Sequence, residues 1–151
     1  MAVRNPQREM LNCFDRNAER QKDANLGRED KVRRVLIVDD SVSMRQMVGY
    51  TLRQGGYEVI EAQHGADALN KLTGVKVDLI ITDLNMPVMD GITLIQNVRK
   101  QSAFKSKPIL MLTTEGLAAK KEEGKAAGAT GWLIKPFDPE KLLQTVAKVL
   151  P

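Results

Sequence analysis

Residues 35–40 read VLIVDD and residues 78–83 read DLIITD, and both runs are short apolar stretches that end in aspartate. Three further runs have a similar length and composition, namely YEVIEA at 57–62, PILMLT at 108–113 and GWLIK at 131–135. Each run is too short for a helix and is rich in Val, Ile or Leu, as strands buried on both faces are. The sequence therefore predicts five short strands.

The segments between these runs have the spacing of amphipathic helices. In the last segment the apolar residues fall on one helical face, and they are Leu142, Leu143, Val146, Val149 and Leu150. Five repeats of strand and helix indicate an α/β fold with a doubly wound, five-stranded parallel sheet and helices on both sides. At this length we expect the strand order 2-1-3-4-5, that of flavodoxin-like (βα)5 folds.

Residues 1–32 do not join this pattern, because they carry charge at nearly every second or third position. We therefore divide the chain into a charged N-terminal tail over 1–32 and one domain over 33–151. The tail is expected to be disordered or to form one short helix, since isolated helices of this length are marginal in water. A chain of 151 residues leaves no room for a second full domain.

Composition and charge exclude several classes of protein. No run approaches the roughly 20 apolar residues of a membrane span, and the N-terminus lacks the apolar core of a secretory signal. Cys13 is the only cysteine, so an internal disulfide is excluded. Of the net charge of +4, most lies in residues 1–34, which hold nine basic and six acidic residues. We expect a cytoplasmic protein that neither inserts into a membrane nor binds DNA.

Polar residues stand at the carboxyl ends of four strands that are neighbours in the predicted order. Strand one ends in Asp39 and Asp40, strand three in Asp83, strand four in Thr113 and strand five in Lys135. Each of them alone has an ordinary explanation, such as a helix N-cap or a solvated strand end. Because ligands of parallel sheets bind beyond the carboxyl ends of the strands, their joint occurrence favours a functional site.

Three carboxylates at one edge repel each other, by about 3 kcal/mol for a pair ~5 Å apart at an effective dielectric near 20. A hard divalent cation relieves this repulsion, and carboxylate, carbonyl and water oxygens are ligands that suit Mg²⁺. With the metal bound, one carboxylate can attack a phosphorus atom. A lysine and a hydroxyl can then hold the phosphoryl oxygens. The combination predicts acyl-phosphate chemistry.

The sequence resembles the receiver domains of two-component response regulators of the CheY-like type over residues 35–151. The resemblance rests on DD at 39–40, DLNMPVMDG at 83–91, Thr113 and Lys135-Pro136. It implies phosphorylation of Asp83, and Mg²⁺ held by Asp40, Asp83 and the backbone carbonyl of Asn85. Asp39 would act on the metal through water.

The resemblance has implications for the phosphoryl group as well. Thr113 would hydrogen-bond it and Lys135 would pair with it, and a cis peptide at Lys135-Pro136 would aim the ammonium. The protein would be a signalling protein and no enzyme, one that catalyses only its own phosphorylation and dephosphorylation. A sensor histidine kinase would donate the phosphoryl group, and a separate effector protein would receive the signal.

Chemotaxis is the pathway that the resemblance favours. The alternatives are a phosphorelay intermediate or another stand-alone receiver outside chemotaxis. The flagellar motor switch is one candidate effector, although the helix that carries Lys120 and Glu123 offers Ala, Lys and Glu and little bulky apolar surface. We expect a monomer.

Thr113 and Trp132 are predicted to form the switch. Alignment of the strand ends places Trp132 beside Thr113, and the helix between them is weak. Gly116 precedes that helix and Gly124 interrupts it, which costs about 1 kcal/mol relative to Ala. If Thr113 follows the phosphoryl oxygens, it vacates space that the indole can fill. We predict that Trp132 becomes more buried on activation.

Two other classes of protein have a similar sheet. A phosphatase or phosphomutase of the haloacid-dehalogenase type also uses an aspartate nucleophile, but it needs a second aspartate where Asn85 stands. A flavodoxin-like protein needs a Ser-, Thr- or Gly-rich phosphate loop after strand one, whereas DDSVSM at 39–44 places two acids there. Repulsion between these acids and the FMN phosphate argues against a flavin site.

Overall fold

The computed structural model describes residues 32–150 and consists of five strands that alternate with five helices. The strands are β1 (Arg34–Val38), β2 (Glu58–Ala62), β3 (Leu79–Thr82), β4 (Ile109–Thr113) and β5 (Gly131–Ile134). The helices are α1 (Val42–Gln54), α2 (Gly65–Leu72), α3 (Gly91–Arg99), α4 (Ala118–Ala127) and α5 (Pro139–Val149), with a 3₁₀ turn at Ser102–Phe104. The order is β2-β1-β3-β4-β5 and every pairing is parallel, so the predicted α/β fold is confirmed.

The apolar runs form strands because helices cover both faces of the sheet. All residues of β3 and β4 are buried, and β1 is buried from Val35 onward. On one face, Val35 and Ile37 pack with residues of α1 and α5. On the other face, residues of α2 and α3 pack against the sheet. Alternate side chains of one strand thus enter two separate cores, which explains why these strands are continuously apolar.

Short polar side chains set the starts of four helices. The caps of α1, α3 and α5 are Ser41, Asp90 and Asp138, and each accepts a hydrogen bond from a backbone amide of the first turn. His64 caps α2 in the same way through its ring nitrogen, which accepts from the Asp67 amide. No side chain caps α4, and Gly124 is its only buried residue. α4 is therefore the least anchored helix of residues 32–150.

The register of the last strand pair corrects one prediction. Thr113 pairs with Ile134, whereas Trp132 pairs with Met111, two positions earlier. The prediction that Trp132 stands beside Thr113 in the sheet is therefore wrong. The last residues of β4 and β5 pair directly, and Trp132 lies two residues before the end of β5, so alignment of the ends itself places Ile134 beside Thr113.

The predicted tail over residues 1–32 falls almost entirely outside the described residues. Residues Arg33–Pro151 form one compact unit by their own contacts. Within residues 32–150, no helix is both long enough and apolar enough to cross a membrane.

Candidate functional site

Three aspartates lie together at the carboxyl edge of the sheet. One carboxylate oxygen from each of Asp39, Asp40 and Asp83 lies within 4.8 Å of the others. Asp39 and Asp83 are buried, at 3% and 8% exposure, while Asp40 is exposed. The predicted convergence of carboxylates is thus present in the structure.

Backbone hydrogen bonds extend the sheet to the residues of the site. The Asp83 amide donates to the Val38 carbonyl at 2.9 Å, and the Asp39 amide donates to the Ala62 carbonyl at 3.2 Å. The Lys135 amide donates to the Thr113 carbonyl at 2.8 Å. The side chains therefore project from backbone that the ladder holds, which is how a parallel sheet presents a rigid site on its edge.

Lys135 crosses the site to the two buried aspartates. Its Nζ lies 2.7 Å from Asp39 Oδ2 and 3.2 Å from Asp83 Oδ2, and its side chain is 10% exposed. Burial by itself lowers the pKa of the ammonium, but the hydrogen bond and charge of Asp39, and then those of Asp83, outweigh it. The pKa of Lys135 is therefore raised above the ordinary lysine value.

The two buried carboxylates accept further hydrogen bonds from backbone amides. Asp83 Oδ1 accepts from the Leu84 amide at 2.7 Å, and Asp39 Oδ1 accepts from the Ser41 amide at 2.9 Å. These bonds satisfy part of the hydrogen-bonding capacity of the carboxylate oxygens. Three carboxylates still face one ammonium, so the site is short of positive charge, and a hard divalent cation fits these oxygens.

The loop after β3 approaches the site too closely for a side chain at one position. A Cβ at residue 91 would lie 2.3 Å from the Asp83 carbonyl oxygen, so only glycine fits there. The Gly91 amide in turn donates to the Leu84 carbonyl at 2.8 Å. Asn85 is exposed in this loop, and Val88 has a positive φ of 72°. Gly91 thus allows the loop to fold back on the Asp83 backbone.

Thr113 lies at the end of β4 and is fully buried. Its Oγ1 accepts a hydrogen bond from the Glu115 amide at 3.3 Å. That bond leaves the hydroxyl proton free to be donated elsewhere. The peptide bond between Lys135 and Pro136 is cis, as the resemblance implied.

Trp132 is half-buried and joins β5 to the loop before α4. Its Nε1 donates to the Glu115 carbonyl at 2.8 Å. A Cβ at residue 124 would lie 2.6 Å from Trp132 Cζ3, so the indole lies directly against Gly124. The sequence alone indicates only that Gly124 weakens the helix. The structure shows that it also makes room for the indole.

Sequence reasoning missed one residue that contacts the site. Arg45, in the first turns of α1, donates from Nη1 to the Asp39 carbonyl at 2.6 Å. A signal was available, because Arg45 stands three residues before Val48 and seven before Leu52, on the buried face of the helix. An arginine on the apolar face of a helix that follows two strand-end aspartates indicates a candidate contact with the site.

The fold and this acidic edge define a class of protein. The family model of the response regulator receiver domain matches residues 35–147, and the chain belongs to that family. This membership separates it from the haloacid-dehalogenase and flavodoxin alternatives.

Chemotaxis regulators are prominent among the similar proteins. The chain is 43% identical to chemotaxis protein CheY1 of Helicobacter pylori over 119 residues, which are 78% of this chain and 96% of that protein. It is 40% identical to a chemotaxis protein CheY homolog of Campylobacter jejuni over 119 residues, 78% of this chain and 92% of that protein. The solved structure of Vibrio cholerae chemotaxis protein CheY4 matches with a TM-score of 0.77 and 56% identity, over 80% of this chain and 100% of that chain.

Proposed function

We propose that this receiver domain accepts a phosphoryl group on Asp83 from the phosphohistidine of a sensor kinase. The observation that carries the proposal is the position of Asp83. Its carboxylate is buried at the sheet edge, lies within 4.8 Å of two other carboxylates and contacts the Lys135 ammonium. Asp39 contacts the same ammonium at 2.7 Å and, like Asp83, accepts a backbone amide, so the choice of Asp83 over Asp39 is further supported by the receiver-family motif at residues 83–91.

In the proposed reaction a carboxylate oxygen of Asp83 forms a bond to phosphorus while the bond from phosphorus to the donor nitrogen breaks. The Lys135 ammonium, already 3.2 Å from Asp83, would pair with a phosphoryl oxygen. The Thr113 hydroxyl would donate a hydrogen bond to a second phosphoryl oxygen. Asp40, Asp83 and the Asn85 carbonyl would hold Mg²⁺, with Asp39 acting through water, and the ion supplies positive charge to the phosphoryl oxygens when bound.

Removal of divalent metal should stop phosphorylation. With acetyl phosphate as donor, we expect the labelling rate in EDTA to fall by at least about 100-fold relative to Mg²⁺, because the carboxylate cluster then repels the donor. Radiolabel incorporation measures the rate, and returning Mg²⁺ in excess serves as the control. An equal rate in EDTA and in Mg²⁺ would contradict the proposal.

We further propose that the output is chemotaxis and that the effector is a separate protein. Support comes from the relatives in Helicobacter pylori, Campylobacter jejuni and Vibrio cholerae, whose names describe chemotaxis proteins. We expect deletion of the gene in its host to abolish rings in soft agar while cells still swim. Restoration by the wild-type chain but not by Asp83→Asn would support the proposal. Normal rings in the deletion strain would instead favour a phosphorelay or another pathway.

The third proposal concerns the switch, in which Trp132 responds through the loop between β4 and α4. Glu115 bonds Thr113 Oγ1 through its amide and Trp132 Nε1 through its carbonyl, so a single residue joins the two side chains. If Thr113 turns toward a phosphoryl oxygen, the bond from the Glu115 amide is lost and the loop is free to move. The weak anchoring of α4 permits that movement.

Fluorescence reports this movement because Trp132 is the only tryptophan. Beryllofluoride with Mg²⁺ should lower acrylamide quenching of the wild type, since the indole becomes more buried, and should leave Asp83→Asn unchanged. Identical quenching with and without beryllofluoride, once binding is established separately, would rule out this role of Trp132.

A further inference from the structure

Arg45 is a largely buried cation whose position no part of the proposed phosphoryl chemistry explains. Its side chain is 12% exposed. It approaches the site from α1, and its Nη1 donates to the backbone carbonyl of Asp39 at 2.6 Å. Burial of a guanidinium is costly unless the group is paired and hydrogen-bonded. The cost suggests that the contact with Asp39 has a role.

Glu61 on β2 supplies the opposite charge, but with poor hydrogen-bond geometry. Its Oε1 lies 3.5 Å from Arg45 Nε, which is buried and has no hydrogen-bond partner among the described residues. Its Oε2 lies 3.8 Å from Arg53 Nη2. Glu61 therefore offsets the charge of Arg45 but does not fix the orientation of the guanidinium. The short hydrogen bond of Arg45 is the one to the Asp39 carbonyl.

This hydrogen bond fixes the peptide plane that carries Asp40. The Asp39 carbonyl and the Asp40 amide belong to one planar peptide unit, so a donor on the carbonyl also orients the Cα of Asp40. Asp39 itself has several other anchors, through its amide and its carboxylate. Within residues 32–150 the Asp40 carboxylate has no hydrogen bond or ion pair of its own. The peptide plane therefore sets the position of the Asp40 Cα, from which the carboxylate must reach the other two.

We propose that Arg45 is a positioning residue for the divalent-cation site, which it serves by holding the Asp39–Asp40 peptide so that the Asp40 carboxylate faces the other two. The inference rests on the proposed Mg²⁺ site. Glu61 cancels the charge of Arg45, so the site gains a rigid hydrogen bond without a net cation that would repel the metal. Outer-shell partners of this kind commonly control metal affinity.

The sign of the effect separates positioning from simple electrostatics. Removal of a cation near a metal site would tighten Mg²⁺ binding if charge were all that mattered. Loss of the hydrogen bond to Asp39 would weaken it. Arg53 provides the matched control, because it lies on the same helix and faces the same Glu61, but is 53% exposed and has no bond to Asp39.

The test is an Mg²⁺ titration of the ¹⁵N-labelled full chain, followed by amide chemical shifts in the absence of any phosphodonor. We expect Arg45→Met to weaken Mg²⁺ binding by about 10-fold, and Arg53→Met, with the same change of charge, to stay within about twofold of wild type. Wild-type or tighter affinity of Arg45→Met would overturn the proposal. So would an equal loss in both variants, because general electrostatics would then account for it.

Thermal unfolding shows whether each variant is folded before titration. If Arg45→Met does not fold, the Mg²⁺ titration is carried out on Arg45→Gln. The glutamine side chain is too short to reach the Asp39 carbonyl, yet it leaves a polar group in the site. The expected loss for Arg45→Gln is the same, and an unchanged affinity overturns the inference. Absence of Mg²⁺ binding by the wild type would instead refute the proposed metal site itself.

Discussion

Replacement of Asp83 by asparagine should abolish labelling by acetyl phosphate in the presence of Mg²⁺. The amide has nearly the shape of the carboxylate and its oxygen can still accept the Leu84 amide, which now bonds Asp83 Oδ1 at 2.7 Å. The fold is therefore preserved. What disappears is the negative nucleophilic oxygen beside Lys135, and without it no acyl phosphate forms.

Asp90→Asn is the matched control for this variant. Asp90 lies in the same loop region and caps α3 by accepting from the Thr93 amide at 2.7 Å, and asparagine is an equally good cap. Radiolabel incorporation should match wild type in Asp90→Asn and be absent in Asp83→Asn. Persistent labelling of folded Asp83→Asn would show that another residue accepts the phosphoryl group.

Replacement of Lys135 by methionine should have the next largest effect. The change removes the ammonium that contacts both buried carboxylates, at 2.7 and 3.2 Å. We expect the phosphorylation rate at saturating Mg²⁺ to fall about 100-fold, as for loss of one charged donor to a reacting oxygen. We also expect a loss of about 3 kcal/mol in the free energy of unfolding without metal, because two buried carboxylates lose their cation.

Lys107→Met controls for the loss of a lysine from an ion pair. Lys107 pairs with Asp78 at 3.8 Å and its side chain is 41% exposed, so its loss should cost less than about 1 kcal/mol. Urea unfolding without and with Mg²⁺ measures both variants. If Lys135→Met is as stable as Lys107→Met and phosphorylates at the wild-type rate, Lys135 does not have the proposed role.

The pKa of Lys135 also predicts the pH range in which its contribution to stability is present. The pKa is raised in the folded chain, because Asp39 and Asp83 outweigh the effect of burial. A raised lysine pKa contributes stability that is complete below the unfolded value and is lost as pH rises through the folded value. The difference in stability between wild type and Lys135→Met should therefore hold through neutral pH and shrink on the alkaline side as the ammonium loses its proton.

The strand order and the convergence at one sheet edge could be predicted from the sequence. Five apolar runs that alternate with amphipathic segments allow few arrangements of a parallel sheet, and the residues after each run must then meet at one edge. Asp39, Asp83, Thr113 and Lys135 lie there because each directly follows or ends a strand. This argument uses only the position of a residue along its strand.

Features that depend on the exact bounds of a strand, or on how helices face the sheet, could not be predicted. Trp132 pairs with Met111 and not with Thr113, because β5 continues for two residues beyond Trp132 and its last residue, Ile134, takes the place beside Thr113. Gly124 appeared to be a helix breaker, yet the absence of its Cβ admits the indole. Arg45 was overlooked because a single arginine in a helix is usually exposed, and only the packing of α1 shows where its guanidinium ends.

The most direct test of the central claim is to map the phosphate on the wild-type chain after incubation with acetyl phosphate and Mg²⁺. We predict one acid-stable, hydroxylamine-labile phosphate, located by mass spectrometry on the peptide that contains Asp83 and absent when EDTA is present. A phosphate on any other residue, or one that resists hydroxylamine, would contradict the assignment of Asp83 as the phosphoacceptor.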